Sequence, residues 1–302
     1  MKKLEALSGT GVAIITPFDA TGAPDLRALK LLVNHLAEGG VDVIVALGTT
    51  GESVTLNEAE QRSVVDTVVE TNNGRCAIML GVGGNNTRVL EHKLKTLDYS
   101  GIDAILSVSP YYNKPTQEGI FQHYQILSEA SEKPLMLYNV PGRTGSNMLA
   151  ETTIRIAEEC RNVCGIKEAS GNLEQIMHII RRRPEHFLVI SGDDALTLPI
   201  IAAGGDGVIS VAANAFPQLY SDMVALCLAG RFSEATRLHN AMLEFIRLLF
   251  ADGSPAGIKA ALKLLGLCDE YVRLPLVNVR PDIFKALEHE VHSLRHLSIK
   301  TA

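Results

Sequence analysis

The stretch Val163-Cys164-Gly165-Ile166-Lys167-Glu168 runs apolar or small for four residues and then turns abruptly charged. Its first five residues read as a β-strand, Val163–Lys167. Nothing in it alternates between apolar and polar, so both faces of that strand must be covered, as in a parallel sheet. Seven further runs share this character: Val12–Thr16, Val43–Leu47, Ala77–Gly81, Ala104–Val108, Leu135–Tyr138, Leu188–Ser191 and Val208–Val211. Amphipathic segments separate them. Leu26, Leu29, Val33 and Leu36 share one helical face, closed by Gly39-Gly40, and Asn57 with Glu60 forms a capping box before Val64, Val65 and Val68. The spacing predicts further helices over Thr87–Tyr99, Glu118–Ser131, Leu149–Cys160, Leu173–Arg182, Ala195–Ala203 and Pro217–Leu228.

Eight strand–helix units in sequence mean either a closed barrel or a large open sheet. Their regular length, and no nucleotide-type glycine fingerprint after the first strand, favour an α/β fold of the (β/α)₈ TIM-barrel type. From Ser233 onward helical patterns at Ser233–Phe250, Pro255–Leu265 and Pro281–Leu294 follow with no strand between them. We therefore expect a catalytic barrel over residues 1–230 and a C-terminal helical region over 231–302, packed on the barrel because no flexible linker separates them.

Composition narrows the class. The chain has 302 residues, 46% of them hydrophobic, which suffices for a large core. A net charge of −6, no dominant basic run and no Trp argue against a nucleic-acid partner. The triplet Arg181–Arg183 reads as a solvated helix C-terminus. Five Cys at irregular spacing, with no matching His/Cys set beside Cys160 and Cys164, read as buried free thiols in a reducing cytoplasm and not as a metal site. Lys2 and Lys3 are followed by Glu5, Ser8 and Gly9, which interrupt any signal-like apolar segment, and no run is apolar enough to span a membrane.

In such barrels the chemistry sits at the C-terminal ends of the strands. Lys167 ends its strand there. Desolvation disfavours an ammonium and frees the amine as a nucleophile; the alternative is a lysine reaching out to solvent or paired with Glu168. Thr49 and Thr50 lie between glycines in a turn whose hydroxyls and backbone N–H groups suit a small carboxylate, or which carries no ligand at all. No Walker lysine follows, which excludes a phosphate-binding P-loop. Tyr111, Tyr112 and Tyr138 occupy two strand-end loops; a phenol near a cationic imine relays protons, whereas a packed ring with a satisfied hydroxyl needs no such role. Arg143, in Pro-Gly-Arg-Thr-Gly, offers bidentate binding to a carboxylate or simply faces solvent.

Six segments, GTTGES (48–53), SPYYNKP (109–115), YNVPGRTG (138–145), GIKEAS (165–170), SGDD (191–194) and GVISV (207–211), in this order and spacing, resemble the dihydrodipicolinate synthase family of the pyruvate-dependent class I aldolases. The resemblance covers the barrel and extends into the helical tail. It implies that Lys167 forms an imine with pyruvate, that Thr50, Tyr138 and Tyr112 relay protons, and that Tyr112 is lent across a subunit interface. It also implies that Thr49 and Thr50 bind the pyruvate carboxylate, that Arg143 holds the carboxylate of L-aspartate 4-semialdehyde, and that Gly192 and Ile209 supply backbone carbonyls. The implied product is 4-hydroxy-tetrahydrodipicolinate, a step towards diaminopimelate and lysine. The resemblance further implies that no cofactor or metal is needed and that the protein is a cytoplasmic homo-oligomer, a homotetramer built as a dimer of dimers or a dimer.

The nearest rivals are N-acetylneuraminate lyase and the 2-keto-3-deoxy sugar acid aldolases, which share the imine chemistry; Arg143 and Tyr112 favour the synthase. A non-catalytic barrel would have lost site groups that are present here. In lysine-inhibited relatives two histidines and an acidic residue line the effector site. Those positions are Glu58, Gln61 and Val89 here, with Asn85 and Tyr111 retained, so weak or absent lysine inhibition is expected.

Overall fold

The structure, a computed structural model, describes residues 6–301. Eight parallel strands close into a barrel in chain order: β1 Gly9–Ala13, β2 Val43–Ala46, β3 Ala77–Gly81, β4 Ala104–Val108, β5 Leu135–Asn139, β6 Val163–Glu168, β7 Leu188–Ser191 and β8 Gly207–Ser210. The ring closes through β1 and β8, with Gly11 opposite Ile209. Alternate residues divide two apolar layers. Val43, Val45, Met79, Leu106, Met136, Tyr138 and Ile190 fill the interior; Ile44, Ala46, Ile78, Leu80, Leu135, Leu137 and Val189 face the helices.

The helices are α1 Leu26–Glu38, α2 Glu58–Asn72, α3 Thr87–Thr96, α4 Gln117–Ala130, α5 Pro141–Thr144, α6 Ala150–Glu159, α7 Leu173–Arg182, α8 Thr197–Ala202 and α9 Pro217–Leu228, followed by α10 Phe232–Leu249, α11 Ala256–Leu264 and α12 Pro281–Thr301. The Asn57/Glu60 capping box forms in both directions, at 3.0 and 2.9 Å. The last three helices share one apolar core with the barrel's outer layer: Phe245, Leu249, Ile258, Leu262 and Leu287 belong to the same buried cluster as Ile44 and Leu80.

Several expectations need correction. The first strand lies three residues earlier than Val12–Thr16. Gly9 and Gly11 hide its start from a hydrophobicity reading, yet a Cβ on Gly11 would come within 2.9 Å of the Val208 carbonyl. Its predicted end leaves the ladder: Ile15 N–H turns to Asn214, and the Thr16 hydroxyl donates to the Gly51 carbonyl at 2.7 Å. Helix α3 stops at Thr96 rather than Tyr99, whose hydroxyl instead donates to the Leu94 carbonyl. The Asp193 carboxylate takes the backbone N–H groups of Ala195 and Leu196, so α8 begins only at Thr197. Arg183 is no solvated helix end: it pairs with Asp206 and donates to the carbonyls of Gly204 and Phe187. The five cysteines are free thiols, four of them buried. Among the described residues no helix is long and apolar enough to cross a membrane.

Candidate active site

Strand β6 holds one irregularity, and it decides where Lys167 points. Val163 pairs with Leu135, but Gly165 already pairs with Met136, so Cys164 is an extra residue in the ladder. Without it, residues three apart would lie on opposite faces. With it, Val163 and Ile166 both face the helices, while Cys164 faces the barrel interior. A bulge of this kind re-aims every side chain beyond it. Lys167 therefore enters the barrel, opposite Tyr138. Gly165 is needed there, because a Cβ would come within 2.5 Å of the Leu188 carbonyl.

The same alternation sends Glu168 outward, which removes it as a partner for Lys167. Its buried carboxylate accepts from Asn139 Nδ2 at 3.0 and 3.2 Å, from Ser170 N at 2.7 Å and from Gln175 Nε2 at 3.2 Å. Burial pushes its pKa up against those hydrogen bonds.

Lys167 is 6% exposed. Its Nζ lies 4.4 Å from the centre of the Tyr138 ring. Burial, aided by the charge of Arg143 and opposed by that of Asp194, lowers its pKa from 10.5 to about 8. An amine with that pKa is roughly one-tenth neutral at pH 7, against roughly one part in three thousand for an ordinary lysine. Asp194 is buried and accepts the backbone N–H groups of Val211 and Ala212, both at 3.0 Å; desolvation raises its pKa.

A cavity of about 1210 Å³ opens over Lys167. Thr49, Thr50, Tyr111, Tyr138, Arg143, Gly192 and Asp194 line it. The turn Thr49–Gly51 is one round of 3₁₀ helix, in which successive side chains diverge by about 120°. Of the two threonines it is Thr49 whose hydroxyl acts on the Tyr138 phenol, favouring its ionised form. Thr49, rather than the Thr50 named above for the relay, is the threonine that acts on this phenol; Thr50 is buried and lines the same cavity. Burial raises the Tyr138 pKa, with Arg143 and Thr49 working against it. Arg143 is exposed on α5, a single turn opened by Pro141 and closed by Gly145 at φ 74°.

Two predicted residues stand apart. Tyr112 is 88% exposed, at φ 72°, and lies outside the cavity of its own chain. Ile209 packs in the barrel interior below the cavity lining. Gly192 lines the cavity, but for a reason not foreseen: a Cβ would sit 3.1 Å from Lys167 Cε and Cγ and 2.7 Å from Ala169 Cβ. Sequence reasoning also gave no role to Asp194, although its place after a barrel strand was a signal of the same kind as that of Lys167. It missed the far wall, built by Ile246, Arg247 and Phe250 at the end of α10; nothing local marks those residues. Among the described residues no group of three or more His, Cys, Asp or Glu side chains could hold a metal ion.

The family model for the dihydrodipicolinate synthetase family matches residues 6–294. The chain is 51% identical over 285 residues to the 4-hydroxy-tetrahydrodipicolinate synthase of Flavobacterium psychrophilum, covering 94% of this chain and 97% of that one. Among solved structures it is similar to one described as a monomeric dihydrodipicolinate synthase variant, at 38% identity and a TM-score of 0.93, covering 96% of this chain and 97% of that one. It is also similar to a chloride-inhibited dihydrodipicolinate synthase from Acinetobacter baumannii complexed with pyruvate, at 39% identity and a TM-score of 0.91, covering 94% and 98%.

Proposed function

We infer the activity from one premise: the chain belongs to the dihydrodipicolinate synthetase family. The protein is a lyase that condenses pyruvate with L-aspartate 4-semialdehyde to give 4-hydroxy-tetrahydrodipicolinate, on the route to diaminopimelate and lysine. The observation that carries this reading is a buried amine of lowered pKa, Lys167, stacked on Tyr138 inside a cavity that also presents Arg143.

In the reaction we propose, neutral Lys167 Nζ attacks the C2 carbonyl of pyruvate, whose carboxylate lies against the Thr49–Thr50 turn. Tyr138, kept protonated by burial, gives a proton to the carbinolamine oxygen, which leaves as water. The imine draws electrons from C3; loss of a C3 proton gives the enamine. That carbon attacks the aldehyde of the semialdehyde, held through its carboxylate by Arg143. The amine of the second substrate then displaces Lys167 and closes the ring, so one water is lost overall and the lysine is regenerated. The imine is the electron sink, and no further cofactor enters this scheme.

Proton exchange needs a path to solvent. We assign it to Thr49 beside Tyr138 and to Tyr112 from a neighbouring subunit, since this exposed ring lies outside its own cavity. A shared Tyr112 requires at least a dimer, and we propose a homotetramer arranged as a dimer of dimers, with residues 1–230 as catalytic barrel and 231–302 as the region packed upon it. Analytical ultracentrifugation of the protein together with Tyr112→Phe kinetics tests this: a fully active monomer would exclude a shared Tyr112.

The decisive experiment is reduction with borohydride in the presence of pyruvate, followed by intact mass and peptide mapping. A covalent adduct on Lys167 is expected; unchanged mass overturns the imine. Arg143→Ala should still form the adduct but lose condensation with the semialdehyde. Unimpaired turnover by that variant would instead favour a sugar-acid aldolase.

A further inference from the structure

Glu52 directly follows the Thr49–Gly51 turn, and its side chain is buried to within 1%. Both of its carboxylate oxygens are held by residues more than two hundred positions later. Lys259, fully buried on α11, donates from Nζ to Oε1 at 2.5 Å and to the Tyr271 carbonyl at 2.8 Å. The backbone N–H of Arg273 donates to Oε2 at 3.0 Å. The Arg273 guanidinium then clamps both oxygens of Glu60 and the carbonyls of Gly22 and Thr55. The Phe18 ring lies under both cations, at 4.1 and 4.6 Å.

The backbone explains what such a pair is for. Leu47 and Glu52 bracket the turn, and both adopt left-handed conformations, φ 55° and 52°, which side chains other than glycine resist. Such residues persist only where the surroundings over-determine them. Glu52 is also the junction of two 3₁₀ turns: its N–H donates to the Thr49 carbonyl, and its own carbonyl accepts from Thr55. A buried ion pair is a weak source of stability compared with apolar packing, but it fixes a geometry.

We propose that Lys259 and Arg273, acting through Glu52, are positioning residues that hold the Thr49–Thr50 turn in register with Lys167 for the first substrate. The C-terminal helical region thus does more than cover the barrel: it sets the geometry of the carboxylate-binding turn. This inference rests on the pyruvate reading above.

The test compares the parent with the double variant Glu52→Gln/Lys259→Met, which leaves no unpaired buried charge. Thermal midpoint, KM for each substrate and the rate of pyruvate trapping on Lys167 are measured on the full chain. The midpoint should stay close to that of the parent. KM for pyruvate should rise by about tenfold to a hundredfold, with slower trapping, as expected when a binding group is displaced by a fraction of an ångström. KM for the semialdehyde should change by less than about twofold. A merely structural contact would lower the active fraction, and with it kcat, while moving neither KM. If the double variant does not fold, Glu52→Gln alone retains the side-chain shape and should still raise KM for pyruvate severalfold. Parent-like pyruvate KM in whichever variant folds, or an equal rise in both KM values, overturns the proposal. Failure of the parent itself to trap pyruvate would instead overturn the assigned activity.

Discussion

Replacing Lys167 with Met should abolish the chemistry and stabilise the fold. Met fills nearly the same volume without a charge, and the site is closed enough for the charge to matter: Lys167 is 6% exposed. A fall in pKa from 10.5 to about 8 means that holding the ammonium in the folded state costs about 3 kcal/mol, at about 1.4 kcal/mol per factor of ten. That cost already includes the attraction of Asp194, which keeps the pKa from falling further. A net stabilisation of about 1–3 kcal/mol at pH 7 follows. The pH dependence carries a definite sign. Between about 8 and 10.5 the unfolded parent binds a proton that the folded parent has lost, so parent stability rises with pH through that window. Below it the lysine is protonated in both states and the full cost is present. The advantage of Lys167→Met should therefore be constant up to about pH 7 and shrink as pH rises from about 8 towards 10.5. Urea unfolding of both proteins at equal concentration, at pH 7 and at pH 9.5, measures this, equal concentration being used because any subunit association would shift the midpoint. A variant no more stable than the parent at pH 7, or an advantage that does not change with pH, would refute the view that Lys167 is held as a destabilised amine.

Three further outcomes follow from the same geometry. Pyruvate trapping by cyanoborohydride should accelerate about tenfold per pH unit below about 8 and level off above it, as the neutral amine becomes the main form; a profile still rising steeply at pH 10 would indicate an ordinary lysine. Gly192→Ala should slow trapping by about tenfold or more, because its Cβ would press on Lys167 Cε and Cγ at 3.1 Å; unchanged trapping kinetics would show that the lysine has room to move. L-Lysine should inhibit weakly or not at all: Gln61 spends its amide N–H on the carbonyls of Ser53 and Leu56, its oxygen faces the Lys93 ammonium at 3.4 Å, and Val89 offers no charge. Initial rates showing strong inhibition at low lysine concentration would reject that reading.

Much of the architecture was legible because burial on both faces leaves a direct record in composition. Seven strands lie where their apolar runs lie. The first was misplaced because glycine carries no hydrophobic signal, while close packing against Val208 requires it. The site was legible as a set of strand-end residues, and Lys167, Tyr138, Thr49, Thr50 and Arg143 do line one cavity. Their division of labour was less so. Adjacent threonines are equivalent in a string, but on a 3₁₀ turn their side chains diverge, and it is Thr49 that acts on the Tyr138 phenol. Tyr112 is 88% exposed and does not line the cavity of its own chain, so nothing within one chain marks its role.

By itself the sequence determined the period of the elements, the number of strand–helix units and the chemical types waiting at the barrel mouth. These are local properties, written in apolar spacing and residue identity. Tertiary structure decided whatever depends on distance across the chain. The extra residue Cys164 shows only in the pairing of β6 with β5, and that pairing turns Lys167 inward and Glu168 outward. Asp194 and Arg143 set the charge around the amine only once strands β5, β6 and β7 stand side by side. Lys259 reaches Glu52 across 207 residues, and no local pattern records such a contact, because the attraction that repays the desolvation of the two charges exists only once chain closure brings them together.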